Sequence, residues 1–218
     1  MRGKLKRFEE NEYRENILQP GKKSYESIKG KWHTNYFFNK NDIVLELACG
    51  RGEYTIGMAR LFTDKNFIGV DLKGDRLWKG SGIAIEENLL HVAFLRTEIL
   101  NLENFIASNE VNEIWITFPD PRPKDRDEKR RLTNNRFLDI YKTVLNSDGW
   151  IKFKTDNTDL FNYTLETLNA RDDVKDLEST YDLYHSKLKP DCFDIRTHYE
   201  QKFNNQGHDI KYLKFRFS

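Results

Sequence analysis

Leu45-Glu46-Leu47-Ala48-Cys49-Gly50-Arg51-Gly52-Glu53 is an apolar run that closes on an acid, a G-x-G turn and the start of a helix-compatible stretch. Glycine lacks a Cβ and tolerates positive φ, so such a turn lets backbone approach a ligand closely, and the next helix offers unpaired N–H groups at its start. Outward from this turn the rhythm repeats: a short apolar run, a Gly-bearing or acidic turn, then a helix-like stretch. It predicts strands over 43–47, 66–71, 91–96, 113–118 and 150–154, and helices over 53–62, 75–88, 133–146 and 158–169. Strands alternating with helices imply a parallel sheet. Residues 176–186 and 210–217 alternate apolar and polar positions instead, as antiparallel strands do. The expectation is an α/β, doubly wound, Rossmann-like fold: a mostly parallel seven-stranded sheet with an antiparallel carboxyl-terminal edge and helices on both faces.

Composition bounds what such a fold can be. The chain has 218 residues, 38% hydrophobic and 33% charged, with 15 Phe, 10 Tyr and 4 Trp to fill a core. A mean hydropathy of -0.79, with no apolar run of the roughly 20 residues that span a bilayer, speaks for a soluble protein without a membrane partner. The first residues alternate charges and lack the apolar stretch of a secretory signal, which predicts a cytoplasmic location. Cys49 and Cys192 lie far apart without ligand spacing, and the five histidines form no pattern with acids, so free thiols and no metal are expected. A net charge of +1 leaves any attraction to nucleic acid to local patches. Residues 1–31 hold nine Lys/Arg against five Glu, a basic and partly mobile arm ahead of a single domain over 32–218. The sequence leaves monomer and homodimer both open.

Three acids sit at successive strand ends. Glu46 precedes the glycine turn, Asp71 closes Gly69-Val70-Asp71, and Glu98 follows Arg96-Thr97. A dinucleotide fold favours G-x-G-x-x-G, but the third glycine position is Thr55, and Glu46 would repel a pyrophosphate. A carboxylate there suits a cation such as the amino group of S-adenosylmethionine, with Gly50 and Gly52 in the turn and Asp71 at ribose hydroxyls.

The fourth strand runs into Phe118-Pro119-Asp120-Pro121-Arg122-Pro123-Lys124. Three prolines in five residues make a stiff loop at the carboxyl edge of the sheet, where ligands bind, and it carries Asp120 and Lys124. Seven basic and four acidic residues over 120–136 form a lip suited to phosphates. On these residues a methyltransferase with an RNA, protein or small-molecule acceptor stays open beside a non-catalytic RNA-binding module.

Glu46 with the G-x-G turn, Gly69-Val70-Asp71, the proline loop, Lys154-Thr155-Asp156 and Thr197-His198-Tyr199-Glu200 together resemble the bacterial tRNA (guanine-N7-)-methyltransferases. The resemblance covers nearly the whole chain. It implies a class I S-adenosylmethionine-dependent methyltransferase fold, S-adenosylmethionine as cofactor and tRNA as partner, with methylation of a variable-loop guanine to 7-methylguanosine. It also implies that Glu46, Asp71, Glu98 and Asp120 meet the cofactor or the catalytic centre, and that Lys124, Asp156, Thr197, His198, Tyr199 and Glu200 bind the substrate nucleotide. Two departures stand out: Arg122 where the family commonly has Trp, and residues 125–128 in place of a His-rich stretch.

Guanine N7 carries an in-plane lone pair and no proton, so its methylation requires no general base. Alignment of the reacting atoms at roughly 3 to 3.5 Å is what the protein must supply. The product base is cationic, which rewards a carboxylate and gives Asp120 an orienting, electrostatic role. Asp120 or Asp156 would accept from the guanine N1–H and N2–H edge, a donor pair adenine lacks, with Lys124 at a phosphate or O6.

Overall fold

The computed structural model describes residues 2–205 and 207–218, and the side chains of all of these but Arg2, Tyr199, Lys202, Phe203 and Asn205. Strands β2 (Ile43–Leu47) and β3 (Asn66–Asp71) are buried along their whole length, which is why they read as continuous apolar runs. They lie at the centre of an eight-stranded sheet with β4 (Val92–Arg96), β5 (Val111–Thr117), β6 (Leu145–Thr155), β7 (Val174–Thr180), β8 (Lys211–Phe217) and β1 (Ile17–Leu18). The order is β1-β4-β3-β2-β5-β6-β8-β7. Pairs from β1 to β6 are parallel, while β8 runs antiparallel to β6 and β7. Strand order reverses at β2, between β3 and β5, and an open α/β sheet binds ligands at the carboxyl ends beside such a switch point.

Alternate strand residues feed two cores. Leu45, Leu47, Ile68 and Val70 pack with Phe137 and Phe161, from α5 (Asn135–Val144) and α6 (Thr158–Asn169). Val44, Phe67, Phe94 and Trp115 pack with Tyr54 and Leu77, from α3 (Glu53–Leu61) and α4 (Gly74–Glu86), on the other face. Asn134 and Asn157 cap α5 and α6, accepting from the N–H of Arg136 and Leu160. β6 begins five residues earlier than its apolar run suggests. The stretch Asn146-Ser147-Asp148-Gly149 has turn composition, yet Leu145 already pairs with Val111 and sits tightly against Gly149.

The eighth strand corrects the expected count of seven. β1 has only two residues, too few for periodicity to reveal, and its register with β4 comes from tertiary packing. It belongs to the amino-terminal segment, whose helix α1 (Arg2–Tyr13) lies along α4 and whose short helix α2 (Lys23–Ser27) follows β1. Asn11 donates to the Gly74 carbonyl at 2.8 Å, and the Arg7 and Arg14 guanidinium groups lie 5.0 and 4.9 Å from the Trp78 ring. The Lys22 ammonium donates to the carbonyls of Asn11, Arg14 and Ile17, tying the end of α1 to β1. The basic arm is thus a folded part of the molecule through its helix and strand.

Candidate functional site

The carboxyl ends of β2, β3 and β5 bring the acids and the glycine turn together. Glu46, 2% exposed, accepts from the Thr55 N–H at 2.8 Å and the Thr55 hydroxyl through Oε2, and from the Thr117 hydroxyl at 2.7 Å through Oε1. Burial pushes its carboxyl up to about 7; the Thr55 and Thr117 hydrogen bonds oppose this rise, and Glu53 adds to it. Thr117 is the residue before Phe118, so this carboxylate ties the first turn of α3 to the root of the proline loop.

Asp71 fixes the turn from the other side, accepting from the Gly50 N–H at 2.9 Å and the Lys73 N–H at 2.8 Å. Gly50 and Gly52 both have positive φ, 57° and 70°, as the G-x-G reading requires. They differ in surroundings. A Cβ on Gly50 would meet nothing within 4 Å, whereas one on Gly52 would lie 2.6 Å from the Phe94 ring. Gly52 serves close packing of helix on sheet, and Gly50 leaves open space beside the turn.

In the proline loop Phe118 and Arg122 take positive φ, 49° and 48°. Asp120 is exposed and held by its own loop: the Arg122 N–H donates to Oδ1 at 3.2 Å, and the Arg122 Nε lies 3.2 Å from Oδ2. Lys124 is exposed and opens a 3-10 turn, Asp125–Arg130, that carries the basic lip. Asp156 follows β6, and its carbonyl accepts from the Lys211 ammonium at 3.1 Å. Glu98 is exposed past the end of β4, where it precedes a second 3-10 turn.

Helix α7 (His198–Asn205) begins beside the glycine turn. The His198 N–H donates to the Glu53 carboxylate at 2.6 Å, and Ile195 packs onto α3 at Gly57. Thr197 and Glu200 form a capping box: the Glu200 N–H donates to the Thr197 hydroxyl at 3.2 Å, and the Thr197 N–H to the Glu200 carboxylate at 3.4 Å. Glu200 is fully buried, with an ammonium partner in Lys154 at 2.7 Å and a phenol partner in Tyr184 at 2.6 Å. Tyr199 lies in α7, and its side chain falls outside the described residues.

The sequence matches the family model described as "Putative methyltransferase" over residues 40–213. A tRNA (guanine-N(7)-)-methyltransferase of Cytophaga hutchinsonii is 50% identical over 217 residues, which span 99% of this chain and 98% of that one. The chain belongs to the tRNA (guanine-N7-)-methyltransferase family. A relative of the same name from Christiangramia forsetii is 46% identical across 99% of this chain and 98% of its own. Among solved structures, an antibiotic-related methyltransferase superposes with a TM-score of 0.63 at 17% identity, covering 85% of this chain and 92% of its own. The 16S rRNA methyltransferase KamB gives 0.61 at 12% identity, with 92% and 95% covered. These two likenesses carry the fold.

Four residues that hold these acids have no role assigned from sequence. Thr55 and Thr117 hold Glu46, and Lys154 and Tyr184 hold Glu200. Of these only Lys154 carries a signal, as part of the Lys154-Thr155-Asp156 motif. Among the described residues no cluster of metal-ligating side chains forms, and no helix is long and apolar enough to cross a membrane. Both cysteines are free and buried, and burial pushes the Cys192 thiol up to about 12, which makes it a poor nucleophile at neutral pH. Two hollows open elsewhere, one beside Asp42 and Asn112 and one between Tyr36, Phe38 and Leu90, at the amino-terminal ends of the strands and away from these acids.

Proposed function

We propose that the protein transfers the methyl group of S-adenosylmethionine to N7 of a guanine in the variable loop of tRNA, forming 7-methylguanosine in the cytoplasm. The reading is carried by one juxtaposition: Glu46, Gly50, Asp71 and the proline loop meet at one sheet edge, in a chain whose near full-length relatives are named for this activity. The residues fit the cofactor. Each Asp71 oxygen accepts one backbone N–H and keeps a lone pair for a ribose hydroxyl, and the turn is open at Gly50. Glu46 supplies negative charge beside a cationic ligand, and Glu98 stands towards the adenine rim.

Bound S-adenosylmethionine supplies an electrophilic methyl carbon on a cationic sulfur. The chain's own part is placement. Asp120 accepts from the guanine N1–H and N2–H edge, with Asp156 near the same edge, and its charge favours the ring as it becomes cationic. Lys124 meets a phosphate or O6. Thr197, His198 and Tyr199 bind the nucleotide from the side of α7, with Glu200 beneath them. No side chain removes a proton before attack, because N7 has none. Extraction of the base from the tRNA core precedes reaction, as for other enzymes that act on stacked bases.

A tRNA transcript carrying 7-deazaguanine at the variable-loop position tests the atom directly. It removes the N7 lone pair and keeps the base-pairing edge. The expected result is unchanged binding with loss of methyl transfer at that position; transfer at the ordinary rate would refute N7 as acceptor.

A further inference from the structure

We propose that Lys154 is a positioning residue for methyl transfer, setting the Thr197–His198 segment against the proline loop through Glu200 and Phe118. The inference rests on the reading of the site given above. Lys154 lies near the carboxyl end of β6, paired with Thr117 on one side and Tyr212 on the other. It is 1% exposed, and its ammonium meets Glu200 at 2.7 Å on Oε1 and 2.9 Å on Oε2. The backbone of the same residue holds the other half of the site, because its carbonyl accepts from the Phe118 N–H at 2.9 Å. Its ammonium also lies 5.9 Å from the Phe118 ring and 5.2 Å from the Tyr54 ring of α3. One residue therefore touches the root of the proline loop, the helix after the glycine turn and the start of α7.

The energetics favour placement over stability as the reason for this charge. Taking a lysine and a glutamate wholly out of water costs about as much as their attraction returns, and apolar residues of similar volume often serve a core as well. What an apolar pair lacks is direction. Both Glu200 oxygens are held by named donors: Oε1 by Lys154 and Tyr184, Oε2 by Lys154 and the Thr197 N–H. This fixes the rotation of α7's first turn, and with it the backbone N–H of His198 that bonds Glu53 beside the glycine turn.

The test compares K154M, E200M and K154M/E200M with the wild type in melting temperature, S-adenosylmethionine Kd by calorimetry, and kcat and KM on tRNA. Each single variant strands a buried charge and is expected to melt lower; the double variant is expected to regain most of the loss. Its kcat is nevertheless expected to stay at least about tenfold low, with cofactor Kd within about threefold of wild type. A double variant that turns over like the wild type overturns the proposal, as does a fall in kcat matched by an equal loss of cofactor affinity. If the double variant does not fold, Y184F decides, since it removes one hydrogen bond to Glu200 and leaves the ion pair. The expected kcat is about two- to fivefold low at unchanged cofactor Kd, and wild-type kcat overturns the proposal. Wild-type protein that binds S-adenosylmethionine but methylates no tRNA would instead refute the functional reading, and this inference with it.

Discussion

Burial of Glu46 lifts its carboxyl from the ordinary 4.5 to about 7, so the native state favours the protonated form over the window between those values. Its contribution to stability is then fully present below about pH 4.5, declines as pH rises, and is lost above about pH 7, a swing of about 3 kcal/mol. Glu46→Gln removes that dependence. A Gln oxygen can accept from Thr55 while its amide donates to the Thr117 hydroxyl, so the variant is expected to melt higher than wild type at pH 8 and no higher at pH 4.5. Equal melting temperatures at both pH values would contradict the account. The same variant is expected to bind S-adenosylmethionine more weakly, since it offers no negative charge. Asp120 is the opposite case, exposed and held only by its own loop. Asp120→Asn is expected to leave the melting temperature and cofactor Kd near wild type and to lower kcat by about 10- to 100-fold. Normal turnover would remove Asp120 from the reacting centre.

At the scale of elements, α3, α4 and β4 meet around Phe94. A Cβ on Gly80, inside α4, would lie 2.6 Å from the Phe94 ring and 2.7 Å from the Arg51 carbonyl in the glycine turn. Alanine ordinarily favours a helix interior over glycine by about 1 kcal/mol. Here the sign is expected to invert, with Gly80→Ala destabilising by about 2 kcal/mol in urea unfolding and weakening cofactor binding through Arg51. A stabilised variant would refute the close approach. The central strands and helices were legible because each carries its own period and turn chemistry: β2 and β3 fall on the expected residues, and α6 matches residue for residue. β1 was not legible, since two residues carry no period, and neither was the early start of β6, whose composition imitates a turn. In the site, the G-x-G turn, Asp71 and the proline loop announce themselves through glycine, strand-end acids and proline. Among the partners of Glu46 and Glu200, Lys154 lies in a quoted motif, whereas Thr117 and Tyr184 come from separate elements, and such pairing leaves no mark in local sequence.

For the whole molecule, a net charge of +1 gives no general attraction to RNA, so affinity must come from where the cations sit. The basic lip beside the proline loop includes Arg126, Lys129 and Arg130, all exposed. Binding of tRNA is expected to fall linearly on a plot of log K against log salt, and replacing these three residues by Ala is expected to reduce the slope by about two to three. A slope unaffected by all three would move the phosphate contacts elsewhere on the surface. The most direct test of the central claim is to incubate the protein with labelled S-adenosylmethionine and bulk tRNA lacking 7-methylguanosine, digest the tRNA, and identify the labelled nucleoside. Label is expected in 7-methylguanosine. Label in any other nucleoside, or none despite measured cofactor binding, would contradict it.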